Sequence, residues 1–299
     1  MISLIVNPAS GGGRAAAAIP GVQRELERRG IAHTVHETES LGHARGLARS
    51  AGSAGRVAVA LGGDGLVSAV AAGLRGSDGV FGILPSGRGN DFARFLGIPL
   101  DPVAACEVLQ TGSVSRLDLG CAGGQPFLGV ASCGLDSDAN RIANQTRMIR
   151  GRLVYAYGGL RALTTWKAAN FRLRLDGERL TIRGYTIAVA NSSMYGGGMR
   201  IAPDASTTDG LLDVVLISDR SRLRFLRHLP KVFSGTHASL PFVRIVRASH
   251  VEVDADRPFT VYADGDPIAE LPVRFGVEPG AVCVRVPVGN GPPVPDMGP

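Results

Sequence analysis

The chain has 299 residues, of which 44% are hydrophobic and 19% are charged, so its composition is that of a globular protein and excludes a disordered or fibrous one. Its net charge of +6 favours anionic partners, and almost all of the positive charge is arginine, since lysine occurs only at Lys167 and Lys231. Because neither lysine lies in a glycine-rich loop, a P-loop nucleotide site is excluded.

The cysteines and histidines indicate the compartment and argue against a zinc site. The four cysteines show no C-x-x-C spacing, which is typical of reduced thiols and predicts a cytoplasmic protein. The six histidines show no H-x-x-x-H or H-E-x-x-H spacing, so a zinc site is not expected. No apolar run approaches the roughly 20 residues that span a bilayer, and the first residues do not have the pattern of a signal peptide.

The first hundred residues repeat a unit of apolar strand, glycine-rich turn and helix. The predicted strands are 2–6, 31–36, 57–61 and 80–84. The predicted helices are an alanine-rich helix ending near residue 29, helices at 41–50 and 66–75, and a helix starting near residue 90. Strands that are apolar throughout are buried on both faces, so this part is predicted to be a Rossmann-like parallel α/β domain over residues 1–120.

The pattern changes after residue 115. Residues 171–175 alternate strictly between apolar and polar, and Asp176-Gly177 follows as a hairpin turn. Further strands are predicted at 115–119, 127–132, 184–190, 211–217, 242–247, 250–254, 259–263, 268–273 and 281–286. Residues 138–166 and 221–234 are predicted to be basic amphipathic helices. We therefore predict a β-rich antiparallel sandwich domain over 121–288 and a flexible tail over 289–299.

Three glycine-rich turns, residues 7–13, 62–65 and 85–89, follow predicted strands of the parallel sheet. The carboxyl ends of such strands bind ligands, and each turn leads into a helix whose first amides attract anions. A phosphate-bearing ligand is predicted, although the spacing does not fit the G-x-G-x-x-G dinucleotide fingerprint. Asp64, within the second turn, is explained by a bridging cation, by anchoring of other phosphate-binding groups, or by capping of the helix that follows.

Together these turns resemble a known family. The segments NPASGGG (7–13), GGDGLVSAV (62–70) and LPSGRGNDFAR (84–94) come in the order and spacing of the diacylglycerol kinase catalytic family. That family of soluble bacterial lipid kinases is similar in fold to sphingosine and ceramide kinases and, more remotely, to NAD kinases. The resemblance continues through MYGGGM (194–199), residues 202–213 and DGD (264–266), and it covers nearly the whole chain.

The resemblance implies ATP as co-substrate, magnesium, and the following residue roles. Asp266 would take the proton from the lipid hydroxyl, and Asp264 would be the carboxylate that accompanies it. Asp64 would help to bind the phosphates and magnesium. The residues implied to contact ATP are Asn7, Pro8, Ala9, Ser10, Gly11, Thr38, Gly62, Gly63, Asp64, Gly65, Leu66, Val67, Ser68 and Arg88. A second, structural magnesium ion would be bound by Ser206, Asp209 and the carbonyl of Leu211.

The sequence departs from the family pattern at three of these positions. Leu66 and Arg88 stand where the family usually has threonine, and Asp266 stands where it usually has glutamate. We hypothesise that Arg88 contacts the transferring phosphate, since a guanidinium donates in a planar fork suited to phosphate oxygens. Without the resemblance, 264–266 and 209–210 are equally typical of tight turns.

The sequence as a whole therefore predicts a cytoplasmic, ATP- and magnesium-dependent kinase of a lipid hydroxyl, with diacylglycerol as the first candidate acceptor. A sphingosine-type lipid kinase, an NAD kinase and a non-catalytic nucleotide- or lipid-binding regulator are the alternatives. The helices at 138–166 and 221–234 suit peripheral contact with an anionic membrane surface, and they are equally typical of solvated helices. Nucleic acid is not an expected partner, and a homodimer is left open.

Overall fold

We describe the chain from a computed structural model, in which residues 1–135, 137, 167–218 and 227–289 are described. The predicted helix at 138–166, the first part of that at 221–234 and the predicted tail beyond residue 289 lie outside these residues. The chain divides into two compact units. Unit 1 comprises Met1–Leu119 and Pro279–Pro299, and unit 2 comprises Gly120–Glu278.

Unit 1 contains a parallel sheet. Its strands from the first part of the chain are β1 (Ile2–Val6), β2 (His33–Glu37), β3 (Val57–Gly62) and β4 (Val80–Pro85). They lie in the order β2-β1-β3-β4 and every pair is parallel. Residues 283 and 284, within the chain's last strand, pair in parallel with the outer edge of β4. The carboxyl ends of β1, β3 and β4 therefore point to one edge, as predicted.

Helices connect these strands in the predicted alternation. They are α1 (Arg14–Arg28), α2 (Leu41–Ser53), α3 (Asp64–Leu74), α4 (Asp91–Phe95) and α5 (Pro102–Thr111). Two begin at polar side chains that cap an orphan amide: Ser40 Oγ accepts from His43 N at 3.1 Å, and Asp101 Oδ2 accepts from Ala104 N at 3.1 Å. The helix after the GGDG turn begins at Asp64, two residues earlier than predicted.

Unit 2 is built from antiparallel strands. Starting from a strand that begins in unit 1, they are β5 (Ser113–Ala122), β6 (Gln125–Phe127), β7 (Val130–Gly134), β8 (Ala169–Leu175), β9 (Glu178–Ala190), β10 (Leu212–Ser218), β11 (Val243–Ala248), β12 (His250–Ala255), β13 (Thr260–Ala263), β14 (Asp266–Glu270) and β15 (Val273–Val286). Seven of them lie in the order β14-β13-β7-β9-β8-β12-β15, and β10 pairs with β9 and β11. The strand predicted at 127–132 is two strands, because the chain turns between β6 and β7.

The alternation predicted for residues 171–175 is confirmed. Phe171, Leu173 and Leu175 are buried, whereas Arg172 and Arg174 are exposed. The ring of Phe171 stacks on that of Phe259, with centroids 5.5 Å apart. This inward face contributes to the core of unit 2.

Within the described part of the helix predicted at 221–234, residues 227 and 228 are helical, residues 229 and 230 form a turn, and α6 covers Lys231–Ser234. Pro230 explains the interruption, since proline has no amide to continue a helical ladder. Over the residues that the structure describes, no helix combines the length and the apolar character needed to cross a membrane.

Candidate active site

Three loops meet at the carboxyl edge of the sheet in unit 1: the first loop (7–13), the second loop (62–65) and the third loop (85–89). Gly63 N donates to Ser10 Oγ at 3.0 Å, which joins the first two loops. Ser86 N donates to the carbonyl of Gly62 at 2.8 Å, which joins the second and third. The loops that the sequence placed at one edge are therefore bonded to one another.

Two glycines leave no room for a side chain between these loops. A Cβ on Gly87 would overlap the Cα of Gly63, so the two backbones touch directly. A Cβ on Gly11 would overlap the carbonyl oxygen of Ser86, and Gly11 also has a φ of +64°, which L-residues rarely adopt. The glycines thus serve close approach of backbone to backbone.

Arg14 links the first loop to the third. Its Nε donates to the carbonyl of Gly11 at 3.1 Å, and its Nη2 donates to the carbonyl of Gly87 at 2.5 Å. The sequence analysis did not single out this residue. The feature of the sequence that could have identified Arg14 is its position, because it is the first residue of α1 and directly follows three glycines. It brings a permanent positive charge to the loops.

The carboxylate of Asp64 reaches across to α4. Phe92 N, in the first turn of α4, donates to Asp64 Oδ1 at 3.1 Å. No side chain caps the start of α3, the helix to which Asp64 itself belongs. Of the three explanations considered, this contact favours the second, in which Asp64 anchors a neighbouring segment. The Oδ2 atoms of Asp64 and Asp91 both flank Gly89, where a Cβ would lie 3.1 and 2.9 Å from them.

Other residues expected at the nucleotide have local partners. Asn7 Oδ1 accepts from Ala9 N at 3.1 Å and shapes the first loop. Thr38 Oγ1 donates to the carbonyl of Ser40 at 2.6 Å, beyond the end of β2. Leu66 is only 2% exposed, and a Cβ on Gly62 would meet its Cδ2 at 2.6 Å. The side chain that replaces the usual threonine therefore packs against the end of β3.

Arg88 differs from these residues because its side chain is exposed. It lies within the third loop, and its guanidinium forms no hydrogen bond or ion pair within the described part of the chain. The Arg14 guanidinium bonds the carbonyl of the preceding residue, Gly87. Two exposed cations therefore belong to this edge of the sheet: Arg14 is held by hydrogen bonds, and Arg88 makes none with the described residues.

In unit 2, the segment DGD forms the tip of the β13–β14 hairpin. Ala263 pairs with Asp266, so Asp264 and Gly265 are the two turn residues, with φ values of 52° and 95°. The predicted tight turn is confirmed. The Asp264 carboxylate accepts from Leu128 N at Oδ2 and from Gly129 N at Oδ1, both at 2.9 Å. Two backbone amides therefore fix the first carboxylate of the segment.

Asp266 has a different environment. It is half-buried, and its carboxylate forms no hydrogen bond or ion pair in the described part of the chain. Burial raises the pKa of Asp266 above the usual range of an aspartate, because desolvation disfavours the charged form. A carboxyl group with a raised pKa and no bound donor has the properties of a general base.

The three residues predicted to bind structural magnesium lie on the loop before β10. Ser206 Oγ is 3.2 Å from Thr208 Oγ1, and Leu211 N donates to Asp209 Oδ1 at 3.1 Å. Their donor atoms are all oxygens, which Mg²⁺ prefers. In the described residues, no group of three or more His, Cys, Asp or Glu side chains is arranged to hold a metal ion.

A buried carboxylate lies close to this loop. Asp213 Oδ2 is buried and has no hydrogen-bond partner among the described residues, while Oδ1 is 3.5 Å from Arg247 Nε. Burial raises the pKa of Asp213; Arg247 opposes this shift, and the exposed carboxylates of Asp209 and Asp204 add to it. Acidic side chains therefore cluster at this loop, beside the oxygen donors of Ser206, Asp209 and Leu211.

Two family models match the chain in succession. The model described as the diacylglycerol kinase catalytic domain matches residues 1–122, and the model described as the YegS C-terminal NAD kinase beta sandwich-like domain matches residues 129–286. The chain belongs to the diacylglycerol kinase catalytic-domain family of lipid kinases.

Relatives of this lipid kinase match over nearly its whole length. It is 37% identical to a diacylglycerol kinase of Mycobacterium tuberculosis over 294 residues, which covers 96% of this chain and 95% of the relative. It is 32% identical over 294 residues to a Pseudomonas aeruginosa protein named "Probable lipid kinase YegS-like", with 97% and 95% covered. A crystal structure of a Bacillus anthracis diacylglycerol kinase superposes with a TM-score of 0.76 at 21% identity, covering 97% of each chain. The predicted fold class, α/β followed by antiparallel β, is confirmed.

The contact between Asp64 and α4 makes a prediction that does not depend on activity. Asp64→Ala removes the acceptor of Phe92 N, and loss of such a cap costs about 1 kcal/mol. We expect the Phe92 amide to exchange with deuterium roughly fivefold faster. Asp64→Asn is the matched control, because its amide oxygen still accepts. Equal exchange of the Phe92 amide in wild type and Asp64→Ala would contradict the contact.

Proposed function

We propose that this lipid kinase transfers the γ-phosphoryl group of ATP to a lipid hydroxyl in a magnesium-dependent reaction. The observation that carries the proposal is Asp266, a half-buried carboxylate of raised pKa with no hydrogen-bond partner among the described residues. Membership of the diacylglycerol kinase catalytic-domain family supports the same reaction class.

The three loops of unit 1 are the proposed ATP site. They follow β1, β3 and β4, and the second and third loops lead to the amino ends of α3 and α4. Backbone amides at helix starts attract phosphate oxygens. Arg14 keeps the first and third loops in contact, and the exposed guanidinium of Arg88 supplies charge that offsets that of the phosphates. The chain thereby fixes the phosphate-binding backbone before ATP binds.

Asp266 is the proposed base for the acceptor. In its ionised form it takes the proton from the lipid hydroxyl as the hydroxyl oxygen bonds to the γ-phosphorus and the bond to the ADP oxygen breaks. Asp264 stays bound to the amides of Leu128 and Gly129 and holds the hairpin tip that presents Asp266. The aspartate is one methylene shorter than the usual glutamate. The position of its carboxylate therefore depends more closely on the position of its backbone than that of a glutamate would.

The proposed binding site for magnesium is formed by oxygen atoms of the loop before β10. Ser206, Asp209 and the carbonyl of Leu211 would hold an ion there, close to the buried carboxyl group of Asp213. When bound, magnesium supplies positive charge that stabilises negatively charged oxygens. The chain's own contribution is to bring these donors together on a loop bordered by the Asp213–Arg247 pair.

Diacylglycerol is the proposed acceptor because relatives carry that name, and phosphatidic acid is then the product. A sphingosine-type lipid is the second candidate acceptor. We propose that the enzyme is cytoplasmic and meets its lipid at the membrane surface, in line with its net charge of +6.

The proposal predicts turnover that depends on both magnesium and a lipid alcohol. Labelled ATP is incubated with vesicles containing diacylglycerol, sphingosine or ceramide, and in a separate reaction with NAD. We expect labelled phosphatidic acid from diacylglycerol when magnesium is present and none when it is chelated. Labelled NADP instead would assign an NAD kinase. Absence of any labelled product despite measurable ATP binding would favour the non-catalytic regulator.

The variant Asp266→Asn distinguishes the proposed role of Asp266 as the base from its effect on the stability of the fold. Ionisation of a carboxyl whose folded pKa is raised costs stability as pH rises through that pKa. We therefore expect Asp266→Asn to abolish turnover while raising the unfolding midpoint at neutral pH. In wild type, kcat/KM is expected to rise with pH through the raised pKa of Asp266. Asp254→Asn, an exposed ion-paired carboxylate, is the control and should leave this profile unchanged. Retained turnover in Asp266→Asn would remove Asp266 from the mechanism.

The variant Arg88→Ala tests the position in the third loop at which arginine stands in place of the family's usual threonine. Loss of a guanidinium that contacts phosphate is expected to weaken ATP binding and lower kcat by about tenfold or more. Arg49→Ala is the matched control, since Arg49 is exposed near the carboxyl end of α2, which leads to the opposite edge of the sheet. Affinity is measured by calorimetry and kcat by labelled-ATP turnover. If both quantities stay at wild-type values in Arg88→Ala, Arg88 does not contact the phosphates.

A further inference from the structure

The dipeptide Leu128-Gly129 is bonded from two sides. On one side its two amides donate to the carboxylate of Asp264, each at 2.9 Å. On the other side, the Leu128 carbonyl accepts from Asn191 Nδ2 at 2.8 Å, and the Gly129 carbonyl accepts from the backbone amides of Asn191 and Ser192 at 2.9 and 3.1 Å. All four backbone polar groups of the dipeptide are therefore used.

Asn191 is built into the end of a strand. It follows β9 directly, and the neighbouring pair Ala190–Val130 joins β9 to β7, which begins immediately after the dipeptide. Asn191 is 0% exposed. Burying a carboxamide is unfavourable, and its Oδ1 makes no hydrogen bond with the described residues, so the bond from Nδ2 to the Leu128 carbonyl indicates a specific bonding task.

The bonded dipeptide leads directly to the proposed base. Asp264 and Gly265 form the two-residue turn of the β13–β14 hairpin, and Asp266 is the residue after it. Two residues of tightly turned backbone leave little freedom between the carboxylate of Asp264 and the Cα of Asp266. The order of contacts is thus Asn191, then the dipeptide, then Asp264, then Asp266.

We propose that Asn191 is a positioning residue for Asp266, acting through Leu128-Gly129 and the Asp264 carboxylate. The inference rests on the proposed function, in which Asp266 is the base. Asn191 suits this task because its amide nitrogen donates to a carbonyl of the dipeptide, which the isosteric carboxylate of aspartate cannot do. The side chain therefore acts on the orientation of two peptide groups and not on substrate.

Gly129 provides an independent way to disturb the same contact. A Cβ at Gly129 would lie 2.5 Å from Asp264 Oδ1, and the next nearest atoms are at 3.7 Å and beyond. Gly129 does not have a positive φ, so alanine would meet this carboxylate without backbone strain. Gly129→Ala thus displaces Asp264 while Asn191 stays intact.

The test is a double-mutant cycle with Asn191→Asp and Gly129→Ala. Misplacing a reacting group by about 1 Å costs up to roughly a hundredfold in rate, so each single variant is expected to lower kcat by about 10- to 100-fold. The KM for ATP is expected to stay within about twofold of wild type, because the ATP loops are in unit 1. If both residues act through Asp264, the double variant loses no more than the worse single variant.

Gly276→Ala is the matched control in unit 2, since its added Cβ would lie 3.9 Å from the nearest atom, the Ser249 carbonyl oxygen. It is expected to keep wild-type kcat. Wild-type kcat in Asn191→Asp, or losses that multiply in the double variant, would overturn the inference while leaving the proposed function intact. If wild type phosphorylates no acceptor, the proposed function itself fails.

Folding is checked by thermal unfolding and by ATP binding for every variant. If Asn191→Asp does not fold, Asn191→Ser replaces it in the cycle, because serine removes the carboxamide without placing a charge beside the Leu128 carbonyl. Failure of both variants to fold would overturn the inference, since Asn191 would then hold unit 2 together and not one hairpin tip.

Discussion

The direct contact between the backbones of Gly63 and Gly87 is the constraint on which the arrangement of the three loops in unit 1 depends. Because neither residue has a side chain, the second and third loops approach closely enough for side chains to bond amides of neighbouring segments. Ser10 accepts from one such amide and Asp64 from another. Hydrogen bonds and direct backbone contact therefore join the three loops to one another.

In unit 2, side chains also hold backbone groups of distant segments, but the side chains are of different types. Its hairpin tip is held by a carboxylate on two amides, and those peptide groups are held in turn by a buried carboxamide. In both units a polar side chain fixes backbone that is distant in the chain. The residue proposed to do chemistry, Asp266, is the one left without such a bond among the described residues, which is what a group that must exchange a proton requires.

The sequence predicted the elements and the edge of the sheet because apolar periodicity and glycine turns are local signals. It did not predict which amide each carboxylate would bind. Asp64 and Phe92 are 28 residues apart, and Asp264 and Leu128 are 136 residues apart, so their pairing exists only once the strands are in register.

The last strand of the chain pairs with the outer strand of the parallel array in unit 1. Residues 283 and 284 cover the edge of β4, although almost all the rest of unit 1 precedes residue 120. During synthesis on the ribosome, the edge of β4 therefore stays uncovered until all of unit 2 has been synthesised. An uncovered apolar strand is a site for wrong pairing between chains, so β4 is open to such pairing until residues 283 and 284 bind to its edge.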